Sequence, residues 1–179
     1  RGLPPCGSAL WGSGFLPASH QGVIFGNEAK PISDLNPPAA ISRQTQTATY
    51  DLLSHLNEDH LREHPGDDLL VSRIKAYELA AKMQMSAPEA FDISHESDAT
   101  KARYGIGTAI SDDFGKRCLL AARLVERGVR FVQLFHEVWD QHGNLTGGVR
   151  KNAEDTDRPS AALVQDLKER GLLQDTLIV

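Results

Sequence analysis

Apolar positions in the last third of the chain alternate between helix-spaced and strand-spaced runs. From Gly128 to His136, Val129, Phe131 and Phe135 would face one way, with Val132 and Leu134 facing the other. A run apolar on both faces is the pattern of a central parallel strand covered by helices on either side. Upstream, Phe114, Cys118, Ala121, Ala122 and Val125 recur at helical spacing. They predict a helix over 112–127, with Ser111 as N-cap and Gly128 as a left-handed stop. Downstream, Leu163, Val164 and Leu167 predict a helix over 158–170, capped by Thr156 or Asp157 and stopped by Gly171. Pro159 then falls in its first turn, where proline is tolerated. Thr176 to Val179 opens another apolar run. A strand, a crossover helix and a strand imply parallel pairing with a right-handed connection. The expected class is α/β: a parallel sheet with flanking helices, in a helix-rich chain.

The earlier residues read differently. Residues 1–44 are rich in proline and glycine, as in Leu3-Pro-Pro-Cys-Gly7 and Asn36-Pro-Pro38, and cannot sustain helix or sheet ladders. Trp11, Phe15, Leu16, Val23, Ile24 and Phe25 make this a packed loop rather than a disordered tail. Residues 45–110 are helical in pattern. Thr47 to His64 carries a stripe of Leu52, Leu53, Leu56 and Leu61, ended by Pro65-Gly66. Asp67 would cap a second helix running to Met85, and Ser97 to Tyr104 a short third one. Gly105-Ile-Gly107 follows no strand, so a phosphate-cradling role for it has little support. The expectation is one domain over 1–179, divided into an irregular region (1–44), a helical region (45–110) and an α/β core segment (111–179).

Composition narrows the classes. The chain has 179 residues, 40% hydrophobic and 24% charged, with net charge −5. These are values of a globular domain, and an acidic balance argues against nucleic acid as a partner. No apolar run reaches membrane-spanning length. Two cysteines, Cys6 and Cys118, form no disulfide framework. The chain opens with Arg1 inside a loop and closes within an apolar run, so it reads as an internal part of a longer domain. The last strand would then present an open edge, which makes aggregation the expectation for the isolated chain.

Candidate chemistry concentrates where the first apolar run ends. Trp139, Asp140 and His142 fall within four residues there. In open α/β sheets, ligands bind outside the carboxyl ends of strands. A carboxylate and an imidazole two residues apart can face one cation, although His142-Gly-Asn is also an ordinary turn sequence. His136 could support such a site or be satisfied by a backbone carbonyl. His60 and His64 have a spacing that can bind zinc. No third ligand is evident near them, so a solvated face is the simpler reading. Glu137, Glu154, Asp155 and Asp157 read as solvated or capping residues.

Several blocks carry a resemblance: Trp11-Gly-Ser-Gly-Phe-Leu-Pro-Ala18, Tyr77-Glu-Leu-Ala-Ala-Lys-Met-Gln84, and the run from Cys118 to Gln133. Trp139-Asp-Gln-His142 and Leu167 to Val179 extend it over essentially the whole chain. They resemble domain of unknown function 1501, a bacterial, usually exported, sulfatase-like family of the alkaline-phosphatase superfamily. The resemblance implies an alkaline-phosphatase-like parallel sheet and a metal-dependent hydrolase of phosphate or sulfate esters. It implies Asp140 and His142 as ligands of a divalent metal, with His136 and Trp139 supporting them and the nucleophile outside this chain. Mixed oxygen and nitrogen donors suit zinc, or manganese, better than calcium. The substrate would be a small-molecule or glycan ester. Relatives carry an Asn-His pair where this chain has Gly148-Val149, and that departure favours an alternative: an exported binding or structural relative without a complete metal site.

Overall fold

Ser42 starts the first helix by accepting a hydrogen bond on its hydroxyl from the Thr45 amide at 3.1 Å. The helix, α1, runs over Arg43–Glu63. Its start lies four residues before the Thr47 cap expected from sequence, because Ser42 takes the capping role. In this computed structural model the described residues are 40–67 and 89–179. To them are added Leu16, His20, Gly22, Ile24, Leu70, Val71, Arg73, Ile74, Lys75, Tyr77, Glu78 and Ala81. The expectations for the rest of 1–44, and for the end of the helix drawn to Met85, lie outside them. Asp67 caps as expected, its carboxylate accepting from the Leu70 amide at 2.9 Å. The chain divides into two compact units, Arg1–Glu89 and Ala90–Val179. In the first, Ile74 and Gln46 are buried, whereas Leu52, Leu53 and Leu56 of the expected α1 stripe are exposed.

The second unit is built on three helices. α2 spans Asp98–Arg103, α3 spans Asp112–Glu126, and α4 spans Leu145–Glu169. A 3-10 turn at Leu173–Asp175 follows. α3 packs mainly on α4, and α2 and the 3-10 turn also pack on α4. The core is Tyr104, Cys118, Leu119 and Ala162, surrounded by Ile93, Ile106, Phe114, Leu134 and Leu163. Leu124 and Leu167 are buried as well, and burial of a Leu-sized side chain stabilises by about 1.5–3 kcal/mol.

Both long helices end in the same way. After α3, Gly128 (φ 84°) lets its amide reach the Val125 carbonyl and the Val129 amide reach Leu124. After α4, Gly171 (φ 73°) does the same, its amide bonding Lys168 and that of Leu172 bonding Leu167. This is the Schellman closure, which satisfies otherwise orphaned carbonyls and favours glycine at the left-handed position. The Glu-Arg-Gly sequence at both places codes the same device. Ser111 precedes α3 as expected, but its hydroxyl bonds the Gly105 carbonyl at 3.2 Å and makes no cap bond.

Two expectations are corrected. Among the described residues no strand or sheet forms; the unit is helical and not α/β. Residues 129–142 leave α3 without helical structure and without a ladder partner. A strand needs a neighbour to receive its amides and carbonyls. Here Arg117 donates to the Phe135 carbonyl at 2.5 Å instead. The alternation of side chains survives: Val132, Leu134 and His136 are half-buried, while Phe131, Gln133 and Phe135 are exposed. One face rests on the helices and the other is uncovered, with Phe131 90% exposed. Residues 176–179 are likewise irregular, and Leu177 is 87% exposed. The second correction is to α4. It begins at Leu145, behind Asn144, and takes in residues read from sequence as loop. Pro159 therefore lies inside the helix, buried, and not in its first turn.

Candidate functional site

The loop between the apolar run and α4 opens and closes on unusual backbone. Val138 has φ 63° and Asn144 has φ 46°. Among the described residues they are the two non-glycine residues with positive φ. Asparagine tolerates this region, but a β-branched valine there is a genuine outlier. Strain of this kind persists only when its surroundings over-determine it. The Val138 carbonyl accepts two amide donors, from the side chains of Gln141 and of buried Asn152 on α4. The turn is thus clamped from within the loop and from the helix beneath it.

A second anchor lies just before the turn. His136 Nε2 is 3.4 Å from Asp155 Oδ2, a long contact, and each side chain is 11% exposed. Lys151 holds the same oxygen at 2.5 Å, one helical turn away. Burial raises the Asp155 carboxyl, but the bonds from Lys151 and His136 outweigh it, so its pKa is lowered. Asp155 is therefore a carboxylate, and His136 turns an Nε2–H towards it. His136 packs edge-on against Phe114 at 5.6 Å and Trp139 at 5.7 Å, between ring centroids. Its Nδ1 is buried with no hydrogen-bond partner. The Trp139 ring thus braces the loop against the imidazole while remaining half exposed.

Beyond these anchors the loop presents Asp140 and His142 outward. Asp140 Oδ1 and His142 Nδ1 are 3.6 Å apart, with side chains 92% and 84% exposed. His142 Nδ1 also lies 3.2 Å from the Asp140 carbonyl. Two ligand atoms about 2.0–2.1 Å from a tetrahedral metal sit roughly 3.4 Å apart. The carbonyl contact puts the hydrogen on Nδ1, so a metal would take this nitrogen only once that contact is released and the proton moves to Nε2. The remaining shell would come from water or other groups. Gly148 and Val149 lie in the first turns of α4 and offer no side-chain ligand.

The structure therefore brings Asp140 and His142 together, and packs His136 against Trp139 at the start of the same loop. It gives Asp155 a different part from the solvated or capping one expected: it is the buried carboxylate that faces His136. Asn152 was not foreseen. The four-residue spacing of Lys151 and Asp155 on a helix was the available signal for their pairing. Nothing local marked Asn152. Gly107, in the glycine pair, donates its amide to Asp112 Oδ1 at 2.7 Å, so a carboxylate of the chain fills the place a phosphate would need.

The described residues thus define a helical protein whose strained, clamped loop displays a carboxylate beside an imidazole. The chain belongs to the family described as Protein of unknown function (DUF1501), whose profile matches residues 1–179. Comparison with curated proteins and with solved structures finds no match. No helix among the described residues is long and apolar enough to cross a membrane.

Proposed function

We propose that loop 138–144 ligates a divalent metal through Asp140 and His142, and that the whole protein hydrolyses phosphate or sulfate esters. One observation carries the reading: the two positive-φ non-glycine residues among those described bracket these two side chains. Backbone strain clusters at ligand clamps and active sites. Here it displays an exposed carboxylate beside an exposed imidazole. A bound metal would act as a Lewis acid on an ester oxygen. The protein's part is to hold the donors: Asn152 and Gln141 fix the turn at Val138, and His136 and Trp139 set the loop's direction. Zinc suits the nitrogen and oxygen donors best, then manganese, with calcium disfavoured. The sulfatase-like, alkaline-phosphatase-type chemistry, the small-molecule or glycan ester substrate and export all rest on the motif resemblance. They carry no claim to a sheet.

The test is Asp140→Asn in the full protein, which removes a charge with little change in shape. Metal content and hydrolysis of aryl phosphates and sulfates are expected to fall together, with the fold unchanged by circular dichroism. Retention of both metal and activity would sink the assignment. A second reading, an exported binding or structural protein, is favoured by Gly148 and Val149, which supply no donor beside the loop. It takes over if the wild type binds no metal at this loop.

A further inference from the structure

We infer that the end of α1 carries a separate zinc site formed by His60, Glu63 and His64. It lies in the other unit of the chain and does not depend on the reading of loop 138–144. The donor atoms of the three residues all lie within 4.8 Å of one another, and all three residues are exposed. Residues three and four apart share one helix face, which is why Glu63 joins a pair that looked incomplete in the sequence.

Three features turn proximity into a site. First, His64 is held in place. Its backbone amide bonds the carbonyls of His60 and Leu61, and its ring Nδ1 lies 2.9 Å from the His60 carbonyl. A carbonyl only accepts, so Nδ1 carries the hydrogen and Nε2 keeps its lone pair for a ligand. A ligating histidine whose other nitrogen donates to a backbone carbonyl is the usual arrangement at metal sites. The His60 and His64 rings stand 4.2 Å apart between centroids, side by side over one turn. Second, the adjacent Arg62 is engaged elsewhere: it pairs with Asp59. Third, the cluster sits at the carboxyl end of α1, where the helix dipole favours positive charge.

Two imidazoles and one carboxylate are a zinc donor set, which leaves the fourth tetrahedral position to water. At a fully exposed helix end that position is open to solvent. The site would therefore hold zinc as a surface ligand that fastens the last turn of α1.

The experiment is a zinc chloride titration of the whole chain, followed by the imidazole ring resonances of its histidines. At one equivalent, the His60 and His64 rings are expected to shift together while His55 stays in place. In a parallel calorimetric titration, His60→Ala with His64→Ala should weaken that binding by at least about tenfold. Even the loss of an outer-shell partner costs roughly 10–100-fold at metal sites. Both titrations are made in the Asp140→Asn background, which weakens zinc capture at the loop and so separates this site from it. The inference is overturned if zinc leaves the His60 and His64 resonances unmoved. It is overturned equally if adding the two alanines, with the chain still helical by circular dichroism, leaves zinc bound as tightly as in Asp140→Asn alone.

Discussion

Val138 sets the geometry of the loop at the cost of its own backbone. Left-handed φ costs an L-residue about 1–2 kcal/mol. Its side chain is mostly exposed, so little burial is lost when it is removed. Glycine in its place would relieve that strain but give back about 0.5–1 kcal/mol in chain entropy. Val138→Gly is therefore expected to leave the melting temperature unchanged or slightly higher while weakening metal capture at Asp140 and His142. A clear drop in Tm would show that the valine is not strained. Asn152→Ala acts on the same carbonyl from α4, where the asparagine is buried. Removing a buried partner of this kind costs about 1–3 kcal/mol, which a chemical denaturation midpoint would register. Cys118 behaves as an inert core group: burial pushes its thiol up to about 12. A thiol that stays protonated is a poor nucleophile. In a Cys6→Ser background, a disulfide reagent is expected to label Cys118 only after unfolding. Fast labelling of the folded chain would contradict its place in the core.

The helices differ in how they tolerate change at glycine. At Gly128 an added Cβ meets nothing within 4 Å, so alanine there carries only the backbone penalty of the left-handed stop. At Gly115, inside α3, an added Cβ would run into the backbone carbonyl of Tyr104, which closes α2. Backbone cannot yield as a flexible side chain does, so α3 would have to move off its neighbour. Gly115→Ala is expected to destabilise more than Gly128→Ala, whose cost is about 1–2 kcal/mol. Equal losses in thermal melts of the two variants would mean that α2 and α3 are not in close contact. The tie from α2 to α4 is polar as well. The Tyr104 hydroxyl donates to buried Asp166 at 2.7 Å, and Arg170 donates to the same carboxylate at 2.8 and 3.1 Å. Arg170 also reaches Glu126 at 2.9 Å, which joins the ends of α3 and α4.

These carboxylates give the second unit a pH dependence. At Asp166 and Asp155 burial alone would raise the pKa, but bonds from Arg170 and Tyr104, and from Lys151 and His136, bring it below 3.8. Both groups hold protons less tightly folded than unfolded. Their contribution is complete above the ordinary aspartate value and is lost as pH falls through the lower folded one. Stability is therefore expected to decline on acidification below pH 3.8, and Asp166→Asn to flatten that decline. An unchanged acid limb in the variant would remove Asp166 from the account. The uncovered face of residues 129–135 acts at the same scale. Phe131, Val129 and Phe135 are exposed, and so are Leu177 and Val179 at the chain end. Exposed apolar runs of this kind favour self-association. Phe131→Lys is expected to raise solubility without lowering the melting temperature. A fall in Tm would show that the phenylalanine is packed.

Local rules determined much of this protein. The Glu-Arg-Gly stops after α3 and α4, the Asp67 cap, and the buried Cys118 face of α3 follow from residue type and spacing, since each depends on atoms within a few positions. The adjacency of Asp140 and His142 was legible for the same reason. Tertiary structure decided the rest. Period-two alternation in residues 129–136 is real, but a strand also requires a partner's ladder, and a run of side chains carries no information about one. Pro159 allowed a helix start or a helix interior, and the fold that buries it within α4 selected the interior. The clamp on Val138 and the pairing of His136 with Asp155 join residues 14 and 19 positions apart, beyond the reach of any local pattern. Only the docking of α4 beneath the loop could bring them into contact.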